Sequence, residues 1–294
     1  VALTAALELK RTAADEKEIT TMSAFVDAYY KDSILGSHNK HKKPHKRPEQ
    51  ALRYLNIIRD KFGAKRLDSI TKGELSSFIR EYSREHGART GDVMRVHLSS
   101  LFADAFECGK VSSNPMAGIT SKASGYAPVA RNRVLSDAEI QLLFKSEHKN
   151  ARVLRFLLLT GLRISEAQQG YVDGDVFRVD DSKNGKPHWV YLTELAKKQL
   201  PLPACTVTNI QAWLKRWLIR EGVEPRFTSH DLRRTFNTRL NDASVEPYIV
   251  EKLLNHSLEG VMAVYNKAEY TERRTEATKK MERIVLDVYG GMGA

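Results

Sequence analysis

Cysteine is nearly missing from this chain: Cys108 and Cys205 are the only two in 294 residues. Two distant thiols cannot form a disulfide framework, which excludes the small stapled secreted scaffolds and suits a reducing compartment; both read as inert core thiols. Long apolar runs are missing too. FLLL, from Phe156 to Leu159, falls far short of the ~18–20 residues that cross a bilayer. No secretory leader is read at the start, so the protein is expected to stay where it is made. Neither G-x-x-x-x-G-K-[ST] nor G-x-G-x-x-G occurs, which argues against an NTPase or a dinucleotide enzyme. Acidic residues are in deficit, 36 against 47 Lys and Arg, giving a net charge of +11 and a pI near 9.5. Such a balance favours a polyanionic partner such as nucleic acid. The excess is shared, with 21 basic against 15 acidic residues up to Ala130 and 26 against 21 beyond it. Both halves are therefore expected to touch the partner.

What is present is a globular composition, 41% hydrophobic and 28% charged, with length for two domains of ~100–200 residues each. The start at Val1 suggests that a preceding module is missing. Residues 1–18 read as a helix, and Thr21 to Leu35 as an amphipathic one. HNKHKKPHKR, residues 38–47, is a basic run whose three histidines lack a carboxylate or cysteine partner, so phosphate contact or solvation is expected there rather than metal binding. Helices follow from Pro48 to about Phe62 and from the Ser-Ile-Thr connection to about His86. Met94, Leu98, Leu101, Ala105 and Cys108 then mark one apolar helical face ending at Gly109. Asn114-Pro115, Gly118 and Gly125-Tyr126-Ala127-Pro128 read as a linker, along which Lys122, Arg131 and Arg133 could follow a phosphate backbone. Ser136 with Glu139 is a capping box, and 151–160 a buried helix. VFRVD (176–180) and PHWVYL (187–192) alternate around Asn184-Gly185, a hairpin signal. Helices are read over about 207–221, 230–243, 246–254, 258–267 and 271–288.

Three blocks could carry chemistry. In TGLRISEA (160–167) Gly161 ends a helix and Arg163 sits at the turn into the next, where a guanidinium can grip a phosphate bidentately. Glu166, one helical turn on, could orient it. SHDLRRTF (229–236) puts His230 and Arg233 at i and i+3, a proton-transfer group and a cation on one helix face; Asp231 reads as structural in its turn. LLNHSLEGVMAVYNK (253–267) supplies His256 and, nine residues on, Tyr265, which periodicity alone would make a core aromatic.

Arg163, a hairpin lysine, His230-x-x-Arg233, His256 and Tyr265 stand in the order seen in tyrosine recombinases, the phage-type integrases, and from about residue 19 to about 289 the chain resembles that family. The resemblance implies a mainly α fold: an N-terminal helical bundle that binds core DNA, plus an α+β catalytic domain of helices with a small antiparallel sheet. It divides the chain into a remnant of, or linker from, a missing arm-binding domain (1–18), the core-binding domain (19–117), a linker (118–134) and the catalytic domain with its C-terminal helix (135–294). It implies a site-specific recombinase that integrates or excises a mobile element through a 3′-phosphotyrosyl intermediate, with neither metal nor other cofactor. Tyr265 would be the nucleophile, His230 the base, Arg163 and Arg233 the phosphate clamp, His256 a further donor and Lys183 the acid for the leaving 5′-oxygen. Lys186 competes with Lys183, because SKNGK holds two lysines and the compact YVDGDVF before it leaves the register open. The implied partners are double-stranded attachment-site DNA, three further copies on synapsed DNA, and accessory bending or directionality proteins; the implied location is the cytoplasm, on the nucleoid when DNA-bound, with no membrane. Ala277, Met281, Ile284, Val285 and Val288 form a stripe expected, as in the family, to dock on a neighbouring protomer. Rival readings are a type IB topoisomerase, a non-catalytic DNA-binding prophage remnant and an RNA-binding module, the last without the aromatic signature of a ribonucleoprotein sheet.

Lys40, Lys42, Lys43, Lys46 and Arg47 are the basic side chains of the run read as touching DNA. Charge reversal at Lys42, Lys43, Lys46 and Arg47 is expected to weaken DNA binding and to flatten the slope of log K against log salt by about 1 for each phosphate that is no longer neutralised. Anisotropy titrations across a salt series test this, and an unchanged slope would leave the run a solvated loop.

Overall fold

The computed structural model describes residues 20–36, 45, 48–129, 131–182, 185–256 and 268–290; the helices read over 1–18 and 258–267 and the five basic residues between 40 and 47 lie outside the described residues. The chain divides into two compact units, 1–129 and 130–294, each with its own apolar core.

The first unit is helical. α1 (Met22–Tyr29) is capped by the Thr21 hydroxyl and runs on as a single wide turn, Tyr30–Ile34. α2 (Pro48–Phe62), α3 (Lys72–His86) and α4 (Ala88–Glu107) complete it. α3 starts at Thr71 because Thr71 and Glu74 satisfy each other's backbone N–H groups. It stops at Gly87, whose φ of 88° a side chain would oppose. α3 and α4 cross closely: a Cβ on Gly91 would lie 1.8 Å from the Ser83 hydroxyl. Met94, Leu98, Leu101 and Ala105 are buried as their spacing requires. Cys108 departs from expectation and is exposed, with Cys205 intermediate. α4 ends at Glu107, so Cys108 caps the helix instead of continuing its stripe. Packing in this unit extends past the last helix, since Ile119 and Ser124 are buried and Ser124 bonds the Ser121 carbonyl at 2.8 Å.

The second unit surrounds α6 (Lys149–Thr160), a helix buried on nearly every side, with only Lys149, Arg152 and Arg155 reaching outward. α5 (Asp137–Lys145) precedes it and the short α7 (Ile164–Gln169) follows. β1 (Tyr171–Asp173), β2 (Val176–Val179) and β3 (His188–Tyr191) form an antiparallel sheet in sequence order. β1 is a strand that the sequence reading lacks: YVDGDVF makes a hairpin of its own, turning through Gly174-Asp175 with Gly174 at φ 58°, as a two-residue loop with glycine first allows. Phe177, Val179, His188 and Val190 point inward. α8 (Glu194–Lys197), α9 (Val207–Arg220), α10 (Ser229–Asp242), α11 (Pro247–Leu253) and α12 (Thr271–Gly290) complete the unit.

The stripe on α12 corrects another expectation. Ala277, Met281 and Val285 are buried within this unit, where α12 packs on α5, α6, α10, α11 and β3; Val288 lies against the same core and Ile284 is half-buried. Gln141 adds a bond to the Val288 carbonyl at 2.9 Å. The stripe cannot also cover a neighbour, because the chain's own core already occupies it.

Met281→Ala is therefore expected to cost about 2–5 kcal/mol of folding stability, as for other fully buried large-to-small changes, and truncation after Ala268 to abolish cooperative unfolding followed by circular dichroism in urea. A truncated chain that unfolds cooperatively at the full-length midpoint would show that α12 is dispensable to the core.

Candidate active site

Gly161 sets the first corner of the site. It ends α6 in the left-handed conformation, φ 68°, and a Cβ there would lie 2.7 Å from the Phe236 ring and 3.1 Å from Leu254. α6, α10 and the end of α11 therefore meet where only glycine fits. Two residues on, Arg163 sits at the N-cap of α7, and Glu166 takes both of its groups: the backbone N–H at 2.8 Å and Nη1 at 2.7 Å. Glu166 is 2% exposed. The sequence raised it as a possible orienting group, and the structure gives it that place.

α10 delivers the second cation from within. Arg233 is only 3% exposed. Its Nη1 donates to the Gly161 carbonyl at 2.7 Å, its Nη2 donates to the Leu254 carbonyl and meets His256 Nε2 at 3.0 Å, and Glu166 Oε2 lies 3.9 Å from Nη1. The two carbonyls belong to the last turns of α6 and α11, where backbone acceptors are left over and the helix dipole is negative. Burial, and then the neighbouring Arg163 charge, pull the Arg233 pKa down to about 10, against the opposing pull of Glu166 and Glu251; it remains a cation at neutral pH. Because a guanidinium only donates, His256 Nε2 must accept, leaving the ring proton on Nδ1 to be given to Glu251 Oε2 at 2.6 Å.

His230 stands one helical turn before Arg233 with its outer edge open to solvent. Desolvation, then Arg234 and Arg233, lower its pKa, with Asp231 opposing and Arg163 adding to the effect. The ring is thereby kept in the neutral form that can take a proton. Asp231 is structural as read: it accepts the Thr228 N–H and hydroxyl, each at 2.8 Å, and pairs with Arg234 at 2.6 Å. Arg163, His230, Arg233 and His256 are thus brought to one locus by α7, α10 and the end of α11. Lys183 and Tyr265 lie outside the described residues, while Lys186 is exposed. Tyr270, the nearest other tyrosine, packs against Tyr248 with ring centroids 5.1 Å apart.

Of the linker side chains, Lys122 is exposed. Arg131 pairs with Asp231 at 3.3 Å and bonds the Arg226 carbonyl. Arg133 bonds the Pro225 carbonyl at 3.2 Å and pairs with Glu139. Both arginines staple residues 131–133 to the second unit. Among the described residues no group of three or more His, Cys, Asp or Glu could hold a metal ion, and no helix is long and apolar enough to cross a membrane.

The sequence reading misses His188. It is 5% exposed on β3 and bonded to the backbone of Leu253, and its Nε2 has no hydrogen-bond partner among the described residues. Burial, then Arg274 and Arg233, push its pKa down to about 3. A single histidine in an alternating strand gives no signal for this. Its linkage has a definite sign: below the ordinary pKa of about 6.5 the unfolded chain binds a proton that the folded one refuses, so stability falls as pH drops from about 6.5 towards 3. By pH 5 that loss amounts to about 2 kcal/mol. His188→Gln, which keeps a donor but does not titrate, is expected to lose about 2 kcal/mol less than the unaltered chain between pH 7 and pH 5 in urea unfolding; equal losses would mean that the imidazole is protonated inside the fold.

Comparison with known proteins agrees with this geometry. The model of the phage integrase family matches residues 182–272. A tyrosine recombinase of Pseudothermotoga lettingae is 26% identical over 233 residues, covering 68% of this chain and 78% of the relative. Among solved structures, a lambda integrase dimer bound to a COC′ core site shares the fold with a TM-score of 0.68 at 18% identity, over 88% of this chain and 80% of that one. A lambda integrase tetramer bound to a Holliday junction gives 0.67 at 18% identity, over 89% and 81%. With the ordered Arg, His-x-x-Arg and His blocks, the family-model match and the curated relative support the tyrosine recombinase family for this chain, and the solved structures share its fold.

Proposed function

We propose that this chain is a site-specific DNA recombinase, a tyrosine-type strand transferase that integrates or excises a mobile element. The observation that carries the reading is the convergence of Arg163, His230 and His256 on a buried Arg233. Two fixed cations and a neutral imidazole at one point are what phosphoryl transfer without a metal requires.

In the proposed reaction the Tyr265 oxygen attacks the scissile phosphorus, the P–O5′ bond breaks, and a 3′-phosphotyrosyl ester and a 5′-hydroxyl result. The ester keeps the energy of the broken bond, so rejoining needs no nucleotide. A phenol of pKa about 10 is a weak nucleophile at neutral pH, and His230 takes its proton. Arg163 and Arg233 hold the non-bridging oxygens and offset the charge that builds in the pentavalent transition state. In the resting site His256 Nε2 accepts from Arg233. Its donation to the phosphate therefore requires a second ring proton, for which Glu251 is the counter-charge. Lys183, or Lys186 on the same hairpin, protonates the departing 5′-oxygen. In this reading the division 1–18, 19–117, 118–134 and 135–294 gives a bundle that grips core DNA and a domain that cuts it, with Lys40, Lys42, Lys43, Lys46, Arg47 and Lys122 as DNA contacts, while Arg131 and Arg133 would have to leave their carboxylate and carbonyl partners to join them. The working assembly is four copies on two synapsed duplexes, in the cytoplasm on nucleoid DNA, with accessory bending or directionality proteins as further partners. A type IB topoisomerase would relax DNA as a monomer, and a prophage remnant would bind without cutting.

Tyr265→Phe is expected to bind attachment-site DNA within about twofold of the unaltered chain and to form no denaturation-resistant adduct on a nicked suicide substrate, because only the attacking oxygen is gone. Adduct formation by the unaltered chain should survive EDTA, since Arg163, Arg233 and the hairpin lysine supply the charge that a metal brings elsewhere. An undiminished adduct with the Tyr265→Phe variant would move the nucleophile to another tyrosine; activity lost to EDTA and restored by magnesium would overturn the mechanism.

A further inference from the structure

β3 is held by its first two residues from opposite faces. His188 points into the core and bonds the backbone of Leu253, next to the Leu254 carbonyl that Arg233 uses. Trp189 points the other way, onto Arg274 of α12. The Arg274 guanidinium lies 3.7 Å from the centre of the indole ring, donates through Nη2 to the Trp189 carbonyl and through Nη1 to Glu269 Oε2 at 3.1 Å. Arg274 is 2% exposed, and its Nε has no hydrogen-bond partner among the described residues.

A cation in this position is costly, because burying a guanidinium sacrifices its hydration, and an apolar side chain would join a helix to a strand with no such penalty. What a planar cation adds is geometry. Bonding the carbonyl sets the height of Trp189, stacking on the indole sets its rotation, and the two together prevent β3 from sliding or twisting against α12. β3 is the root of the lysine hairpin: Lys186 stands two positions before His188 and Lys183 five. Glu269 stands four positions after Tyr265, so the same guanidinium also bonds the chain just before α12 begins.

We propose that Arg274 is a positioning residue for the leaving-group acid: by locking Trp189 it holds the hairpin so that its lysine reaches the departing 5′-oxygen. The proposal rests on the reading above, in which that lysine protonates the leaving oxygen.

The test replaces the bridging 5′-oxygen of the scissile phosphate with sulfur. A thiolate departs without a proton, so a defect confined to the acid disappears on the sulfur substrate, whereas a defect in folding, clamping or the nucleophile does not. Single-turnover cleavage of both substrates is measured for the unaltered chain and for Arg274→Met, Arg274→Lys, Trp189→Leu, Lys183→Met, Lys186→Met and Tyr265→Phe. Arg274→Met and Trp189→Leu are expected to lose about 100-fold or more on the oxygen substrate, within the range of general acid catalysis, and to recover to within about fivefold of the unaltered chain on sulfur. Arg274→Lys keeps the charge but not the planar fork, which covers the case in which Arg274→Met fails to fold, and the same pattern is expected of it. Equal losses on both substrates, or full activity of Arg274→Lys on oxygen, would overturn the proposal. If neither lysine variant is rescued by sulfur, the general-acid reading fails, a result distinct from failure of the Arg274 variants alone.

Discussion

Everything at the centre of the second unit depends on one buried cation. Arg233 has left water for a pocket closed by the ends of α6 and α11, and what compensates it is backbone: the Gly161 and Leu254 carbonyls, both surplus acceptors at helix C-termini. Each carbonyl would be costly if left unpaired, about 1–3 kcal/mol apiece. The guanidinium and the two helix ends therefore need one another, and the angle at which α6, α10 and α11 meet is set by that need as much as by apolar packing.

From this junction the other groups take their places. Glu166 bonds Arg163 and faces Arg233, holding two like charges together that would otherwise repel. His256 receives an N–H from Arg233 and is turned by Glu251. His230 rides on the same helix as Arg233, one turn away, so its distance from the cation is fixed by helix geometry. A polar network of this kind is rigid only when every member is satisfied, and the Phe236 ring packs against the Gly161 corner beside it.

Much of this is legible in the sequence. The cap at Ser136, the enclosed α6, the alternating β2 and β3, and the Arg, His-x-x-Arg and His blocks all follow from local rules, since periodicity and capping are properties of neighbouring residues. Other features depend on distant parts of the chain. That the α12 stripe closes its own core is decided by α5, α6, α10 and β3, which the spacing of Ala277, Met281 and Val285 cannot reveal. His188 and Arg274 escape a sequence reading for the same reason: a polar residue in a strand or helix reads as solvated until its neighbours are known. Cys108 is a local misreading, which extends a stripe one step beyond the helix that carries it.

Burial of α12 also bounds where the proposed nucleophile can be delivered. His256 and Ala268 are fixed points on either side of residues 257–267, joined to one core through α11 and α12. Tyr265 is three residues before Ala268, and a chain gains at most about 3.6 Å per residue, so its Cα lies within about 11 Å of that anchor. Chain connectivity, and not only affinity for DNA, then limits which phosphate the proposed nucleophile could meet.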